Sequence, residues 1–306
     1  MTAGPAPRAA LAAMAAGAMI IGSNGLMVRI AGVPPTVSAF WRMLMAGILL
    51  AAFAALVRGW RPLPVRAWAW IAVPVLAFAA DLWAWHRSIL LVGPGLSTLL
   101  ANTQVFFMAL AGVLLFGERL GPRFLGGLLL AFAGLWLMLG SGWSSLPAGF
   151  RWGVWLGLAA GLSYAVFNLG LRRAQAEADV DPERRAPYEQ VLALASLGTA
   201  AVLALVVAGE GLSFAIPSWH SFGVLFVLAA FGHCLSWVLM SIAMARLRVA
   251  VIGLVLLLQP IVAFVLDVWL FGRATSGLEW LGLALTLAGI FLAGLKGRER
   301  LPDQPT

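Results

Sequence analysis

Two ionisable side chains lie far inside long apolar stretches of this 306-residue chain, Asp81 and His233. Each follows the predicted start of its helix by 14 residues, which at 1.5 Å per residue is about 21 Å of helix. An ionisable group in such surroundings costs roughly 2.5–3.5 kcal/mol on insertion scales, so it needs a partner, a cavity or a route to the surface. Asp81 and His233 therefore point either to a site for an amine or a proton-coupled step, or to a structural hydrogen bond between packed helices. Asn24, within Gly22-Ser-Asn-Gly25, and Asn168, just after Ser163-Tyr164, carry amides that both donate and accept. Such groups suit a zwitterion, while the small residues beside them equally suit close helix packing. Gln259 precedes Pro260, whose ring and missing N–H predict a bend and a freed carbonyl at Leu256. Trp85 and Trp237 stand deep in their stretches. Arg42 sits about six residues inside its own, where it either snorkels to the surface or pairs with Asp267 as a gate contact.

The elements that must position these residues follow from composition. The chain is 62% hydrophobic and 10% charged, against about 25% charged in a soluble domain, so a water-soluble fold is excluded. A spanning helix needs about 20 apolar residues. Windows of that size mark ten: 9–29, 36–57, 67–91, 94–116, 122–140, 151–171, 188–208, 219–242, 247–271 and 277–295. Gly- and Pro-rich turns separate them, among them Gly32-Val-Pro-Pro35, Gly93-Pro-Gly95 and Gly121-Pro122. The first stretch is read as an uncleaved helix because it runs on to Arg29. The single Cys234 excludes a disulfide framework and a thiolate metal site, and His86, His220 and His233 lack ligand spacing. No metal and no cofactor are expected.

The net charge of +8 belongs to the connections. No basic run suits nucleic acid; the charge reports topology. Alternate connections hold 15 and four of the basic residues, with Arg42 alone inside a span, and the excess marks the cytoplasmic side. Both termini are thus expected in the cytoplasm, in a multi-pass protein of the cell inner membrane. Trp60, Trp68, Trp143, Trp152, Trp219, Trp269 and Trp280 lie near predicted helix ends, as interfacial anchors do. The charged segment 172–187 reads as a solvated cytoplasmic loop, and Glu118 and Arg119 as solvated at the inner end of helix four.

The halves resemble one another. A shift of 155 residues aligns Gln104 with Gln259, Leu115-Phe-Gly117 with Leu270-Phe-Gly272, Gly127 with Gly282 and Gly134 with Gly289. A shift of 144 aligns Asn24 with Asn168 and Arg29 with Arg173, and 152 aligns Trp85 with Trp237. Each copy holds five helices, so the second enters the membrane from the opposite side. The expected architecture is all-α, ten transmembrane helices as two inverted five-helix repeats, 1–146 and 147–306. Two halves related in this way can exchange conformations, which is the symmetry of an alternating-access carrier.

The block Phe116-Gly-Glu-Arg-Leu-Gly-Pro-Arg123 through Ala133-Gly134 resembles the end of the fourth and start of the fifth helix in EamA-type proteins of the drug/metabolite transporter superfamily. Leu257-Leu-Gln-Pro-Ile-Val-Ala-Phe264 with Phe271-Gly272 resembles the same block of the second half, and Phe40-Trp-Arg42 is similar to the family's arginine near the start of helix two. The resemblance covers nearly the whole chain. It implies an exporter of amino acids or similar small metabolites with a central cavity. Where the second repeat of the family has Gly-Glu, this chain has Gly272-Arg273, so any role of that acid is missing. The expected cavity residues are Asn24, Asp81, Trp85, Asn168, His233, Trp237 and Gln259. Two other classes compete, a non-transporting membrane sensor or assembly protein and an intramembrane enzyme. The second would need clustered nucleophiles, bases or metal ligands, which the apolar stretches do not supply.

Overall fold

The computed structural model describes residues 7–116, 121–179, 186–244 and 255–294. Glu118, Arg119 and the stretch 245–254 that opens predicted helix nine lie outside the described residues. Among those described the chain is helical, with no strand. Eight helices are long and apolar enough to cross a membrane, and the shorter Leu258–Phe271 and Gly277–Ala293 are apolar as well. With no water in hydrocarbon to satisfy backbone groups, a helix that pairs its own is the form such stretches can take.

The elements are α1 (Pro7–Ile30), α2 (Pro35–Phe53), α3 (Val65–Val92), α4 (Pro94–Ala101), α5 (Gln104–Phe116), α6 (Pro122–Leu139), α7 (Ala148–Ala178), α8 (Tyr188–Gly209), α9 (Trp219–Ala229), α10 (Ser236–Met244), α11 (Leu258–Phe271) and α12 (Gly277–Gly294). Prolines open α2, α4 and α6, where a missing N–H is harmless. Gly93, at φ +87°, makes the corner between α3 and α4, a conformation L side chains avoid.

Three predicted helices prove interrupted. The stretch 94–116 breaks between Ala101 and Gln104, giving α4 and α5. The stretch 219–242 passes through a π-helical segment, Ala230–Leu235, that holds His233. Ahead of α11 the helix is broken at Leu257, three residues before Pro260, in keeping with the bend expected there. Such interruptions often accompany functional sites. The breaks at Asn102 and Leu257 are 155 residues apart, the spacing of the sequence repeat.

Packing follows a regular plan. α3 lies along α7, α2 along α8, α6 along α12, and α1 against α9, α10 and α11, while α4 packs on α7 and α11. The main core gathers Met43, Phe78, Leu82, Phe167, Leu192 and Leu203 from α2, α3, α7 and α8. Small residues bring helices close. A Cβ at Gly127 would lie 2.6 Å from the backbone of Gly289 and Ala293, and one at Gly289 would lie 2.5 Å from that of Gly127 and Ala131. Gly134 and Gly282 meet in the same way.

Candidate functional site

α3 presents Phe78, Asp81, Leu82 and Trp85 at intervals of three and four residues, which places them on one helix face. All four line a small cavity of about 70 Å³ with Asn24 of α1, Arg42 of α2, Thr98 and Ala101 of α4, Asn102, Gln104, Tyr164, Trp237 and Gln259. That volume holds on the order of five water molecules. Asp81 is 6% exposed and Arg42 5%, and the two lie within electrostatic reach of each other. The Arg42 guanidinium stands 5.7 Å from the centre of the Trp85 ring. A buried acid and a buried base share a pocket between apolar helices.

The donors facing this space are unused. Arg42 Nε and Nη1, Trp85 Nε1 and Thr98 Oγ1 are buried without a hydrogen-bond partner among the described residues. Buried polar groups are ordinarily satisfied, so a run of free donors around one cavity marks a place for an acceptor. Other polar groups are committed to building the wall. Asn24 Nδ2 donates to Gly232 O in the π segment at 2.9 Å, and Asn102 Nδ2 donates to Thr98 O at 2.8 Å. A side chain at Gly232 would collide with the Asn24 amide. The aromatic side of the wall is continuous, because Phe78 stacks on Phe167 at 4.1 Å and Tyr164 stacks on Phe167 at 5.8 Å.

Of the residues expected from the sequence, Asn24, Asp81, Trp85, Trp237 and Gln259 come together at the cavity. Asn168 and His233 stand behind it. Asn168 donates to Gln104 Oε1 at 3.1 Å and to Tyr164 O at 2.8 Å, so it holds two lining residues. His233 is fully buried, with Nε2 3.3 Å from Ser196 Oγ and its ring beside Phe78 and Trp237. Both were expected in the lining because equivalent depth says nothing about which way a helix is turned.

Arg42 and Asp267 require correction. Arg42 neither snorkels nor meets Asp267; it turns into the cavity, beside Asp81 and the Trp85 ring. Asp267 is 1% exposed, with Oδ1 3.4 Å from Arg29 Nη1 and Oδ2 3.5 Å from Arg273 Nη1. Its Oδ2 also accepts from Gly95 N at 3.2 Å. Arg273, the departure from Gly-Glu, is thus the residue that faces Asp267, and its Nη2 reaches Glu279 Oε1 at 3.1 Å. Sequence reasoning passed over Phe78, Thr98 and Asn102. Phe78 shares the Asp81 face, and Thr98 and Asn102 form a polar i, i+4 pair inside an apolar run.

A second carboxylate, Glu210, ends α8. It accepts from Thr36 Oγ1 at 2.6 Å and from Trp83 Nε1 at 2.9 Å, and pairs with Arg87. No group of three or more metal-ligating side chains occurs among the described residues.

A helical bundle with many apolar spans around a buried polar cavity is the construction of a membrane transporter. The EamA-like transporter family model matches residues 8–140 and again 151–295, and the chain belongs to that family, in the drug/metabolite transporter superfamily. It is 29% identical over 295 residues to the uncharacterized inner membrane transporter YedA of Escherichia coli strain K12, covering 94% of this chain and 90% of that one. A WAT1-related chloroplastic protein of Arabidopsis thaliana is 27% identical over 268 residues, covering 84% of this chain and 62% of its own. A solved crystal structure superposes with a TM-score of 0.64 at 22% identity, covering 93% of this chain and 96% of that one; at that identity the likeness is one of fold.

Proposed function

We propose that this transporter is a secondary carrier of the inner membrane that exports small zwitterionic metabolites, amino acids foremost, by alternating access. The observation that carries the substrate class is the pairing of Asp81 with Arg42 across one buried cavity, beside free donors and amides. An ammonium group has its acceptor in Asp81, and a carboxylate has its donors in Arg42, Trp85 and Thr98. The aromatic wall of Phe78, Tyr164 and Trp237 supplies apolar contact for a side chain.

Several features support the inverted repeat behind alternating access. Exchanging the halves carries the packing of α3 on α7 into that of α9 and α10 on α1, and the packing of α5 on α7 into that of α11 on α1. The pairs α2 with α8 and α6 with α12 map onto themselves. The close contacts Gly127 to Gly289 and Gly134 to Gly282 interchange under the 155-residue shift. Such symmetry makes an arrangement open to one side imply a nearly equivalent one open to the other. The repeats correspond to 1–146 and 147–306, with both termini cytoplasmic.

The test is counterflow. Purified protein in liposomes loaded with one unlabelled compound is offered a panel of labelled amino acids, amines, carboxylic acids and sugars. Transient accumulation of amino acids above equilibrium, and of no other class, is the expected result. Counterflow of sugars alone sinks the zwitterion assignment. Its absence for every compound leaves a non-transporting membrane protein as the better reading.

A further inference from the structure

The bonds that join the two halves differ between the two ends of the bundle. At one end Asp267 takes Arg29 from the end of α1, Gly95 N from the α3–α4 corner and Arg273 from the turn before α12. The guanidinium of Arg29 lies 4.0 Å from the Phe271 ring centre and that of Arg273 5.0 Å from the Phe264 ring centre. The corner itself is seated on α11, since a Cβ at Gly95 would lie 2.7 Å from Phe264 Cα. At the other end Arg58 pairs with Glu189 across the halves at 3.8 Å, with the Arg58 side chain 55% exposed. The neighbouring contact is neutral: Arg61 N donates to Gln190 Oε1 at 2.9 Å and Gln190 Nε2 donates to Arg61 O at 2.6 Å.

The repeat states what an equivalent cluster at that other end would need. Arg29 corresponds to Arg173, Asp267 to Gly112 and Arg273 to Glu118. Gly112 has no side chain. Arg173 pairs within its own helix with Glu177 at 2.6 Å and meets the other half through the Trp70 ring, 5.5 Å from its guanidinium, rather than through an acid. The central acid is therefore present in one repeat and missing from the other. Exposed pairs contribute little, whereas removing the partners of a buried carboxylate strands its charge.

We infer that the Asp267 cluster is a one-sided latch. It holds the outer mouth of the cavity shut and has no counterpart at the inner mouth among the described residues, so the carrier rests closed to the outside and loads from the cytoplasm. The inference rests on the carrier reading above, and the basic-residue asymmetry assigns the Asp267 end to the outer face. Binding in the cavity must supply what breaking the latch costs before substrate can leave outward.

The test needs no known substrate. With the single native cysteine removed as Cys234→Ala, Ile21→Cys puts one thiol in the cavity wall. Its reaction with a charged, membrane-impermeant thiosulfonate is timed in right-side-out and in inside-out vesicles. With the latch intact the expected reaction is fast from the inner face and slow from the outer. Asp267→Asn is expected to raise the outer rate about tenfold or more, and Arg273→Gln, a milder change, to raise it less. An outer rate unchanged in both variants, each eluting as a monodisperse protein, overturns the latch and leaves the carrier reading standing. A thiol unreactive from either face in every variant overturns the carrier reading as well.

Discussion

Asp81 is the acid that lines the cavity. As the acceptor for an ammonium group it makes Asp81→Asn lose both net transport and exchange. As a proton carrier it makes the same substitution abolish transport driven by a pH gradient while sparing exchange, which needs no net proton movement. Comparing the two assays on one preparation decides, and normal activity in both would make Asp81 a packing residue. On the proposed reading, the carboxylate end of the substrate meets Arg42, Trp85 and Thr98. Hydrogen bonds to a charged group contribute about 1.5–3 kcal/mol, so an amino-acid amide should compete at least about tenfold less well than the free acid, and Arg42→Gln should narrow that gap. Equal competition by acid and amide would remove the donors from recognition. Glu210 provides a pH signature. Desolvation pulls its carboxyl upward, but bonds from Thr36 and Trp83 and the nearby Arg87 charge outweigh it and hold the group below the usual glutamate value. A depressed carboxyl stabilises the fold at pH above its unfolded value and loses that contribution as pH falls through the folded one. Thermal stability should therefore drop as pH falls below about 4, and Glu210→Gln should flatten this part of the profile.

At the scale of elements, the decisive contacts are those where helices touch through glycine. Gly126 and Gly127 are neighbours in α6 with opposite surroundings. A Cβ at Gly126 would have Leu292 Cδ2 at 3.9 Å as its nearest neighbour, whereas one at Gly127 would press on α12 backbone at 2.6 Å. Alanine removes the helix cost of glycine, about 0.5–1 kcal/mol, while overpacking costs about 1–3 kcal/mol. Gly126→Ala should thus be neutral or raise the melting temperature and Gly127→Ala should lower it. A fall of equal size in both would mean that α6 and α12 are not packed through this face. The interrupted elements matter in another way. The break between α4 and α5 delivers Asn102 and Gln104 to the cavity, and the π segment turns Gly232 O toward the Asn24 amide. A regular helix through either region would rotate these groups elsewhere.

For the whole molecule the central claim is two halves inserted in opposite senses. Reporter fusions after residues 145 and 300 should label opposite sides of the membrane, the second cytoplasmic. Labelling on the same side breaks the inverted-repeat reading, and with it the reason to expect two interchangeable conformations. The latch at Asp267 sets a limit on that symmetry. Arg273 and Glu118 stand at corresponding positions with opposite charge, so the two mouths need not open with equal ease even where the helices are equivalent.

What the sequence determined by itself was the solvent of this protein, its helices and the depth of its polar residues. Hydropathy is summed over twenty residues and survives local error, and Asp81 and Gln259 have few neighbours in their stretches that resemble them. Rotation about each helix axis was decided by tertiary packing. Depth follows from counting residues, but the face a helix shows to the cavity depends on which side chains its neighbours can accommodate. For that reason Asn168 and His233 stand behind the wall, and Arg42 turns into the cavity instead of to the surface. Pairing across the bundle lay beyond counting too. Asp267 meets Arg29 and Arg273 because the Gly93–Gly95 corner lets the end of α3 approach α11, a contact between residues 172 positions apart.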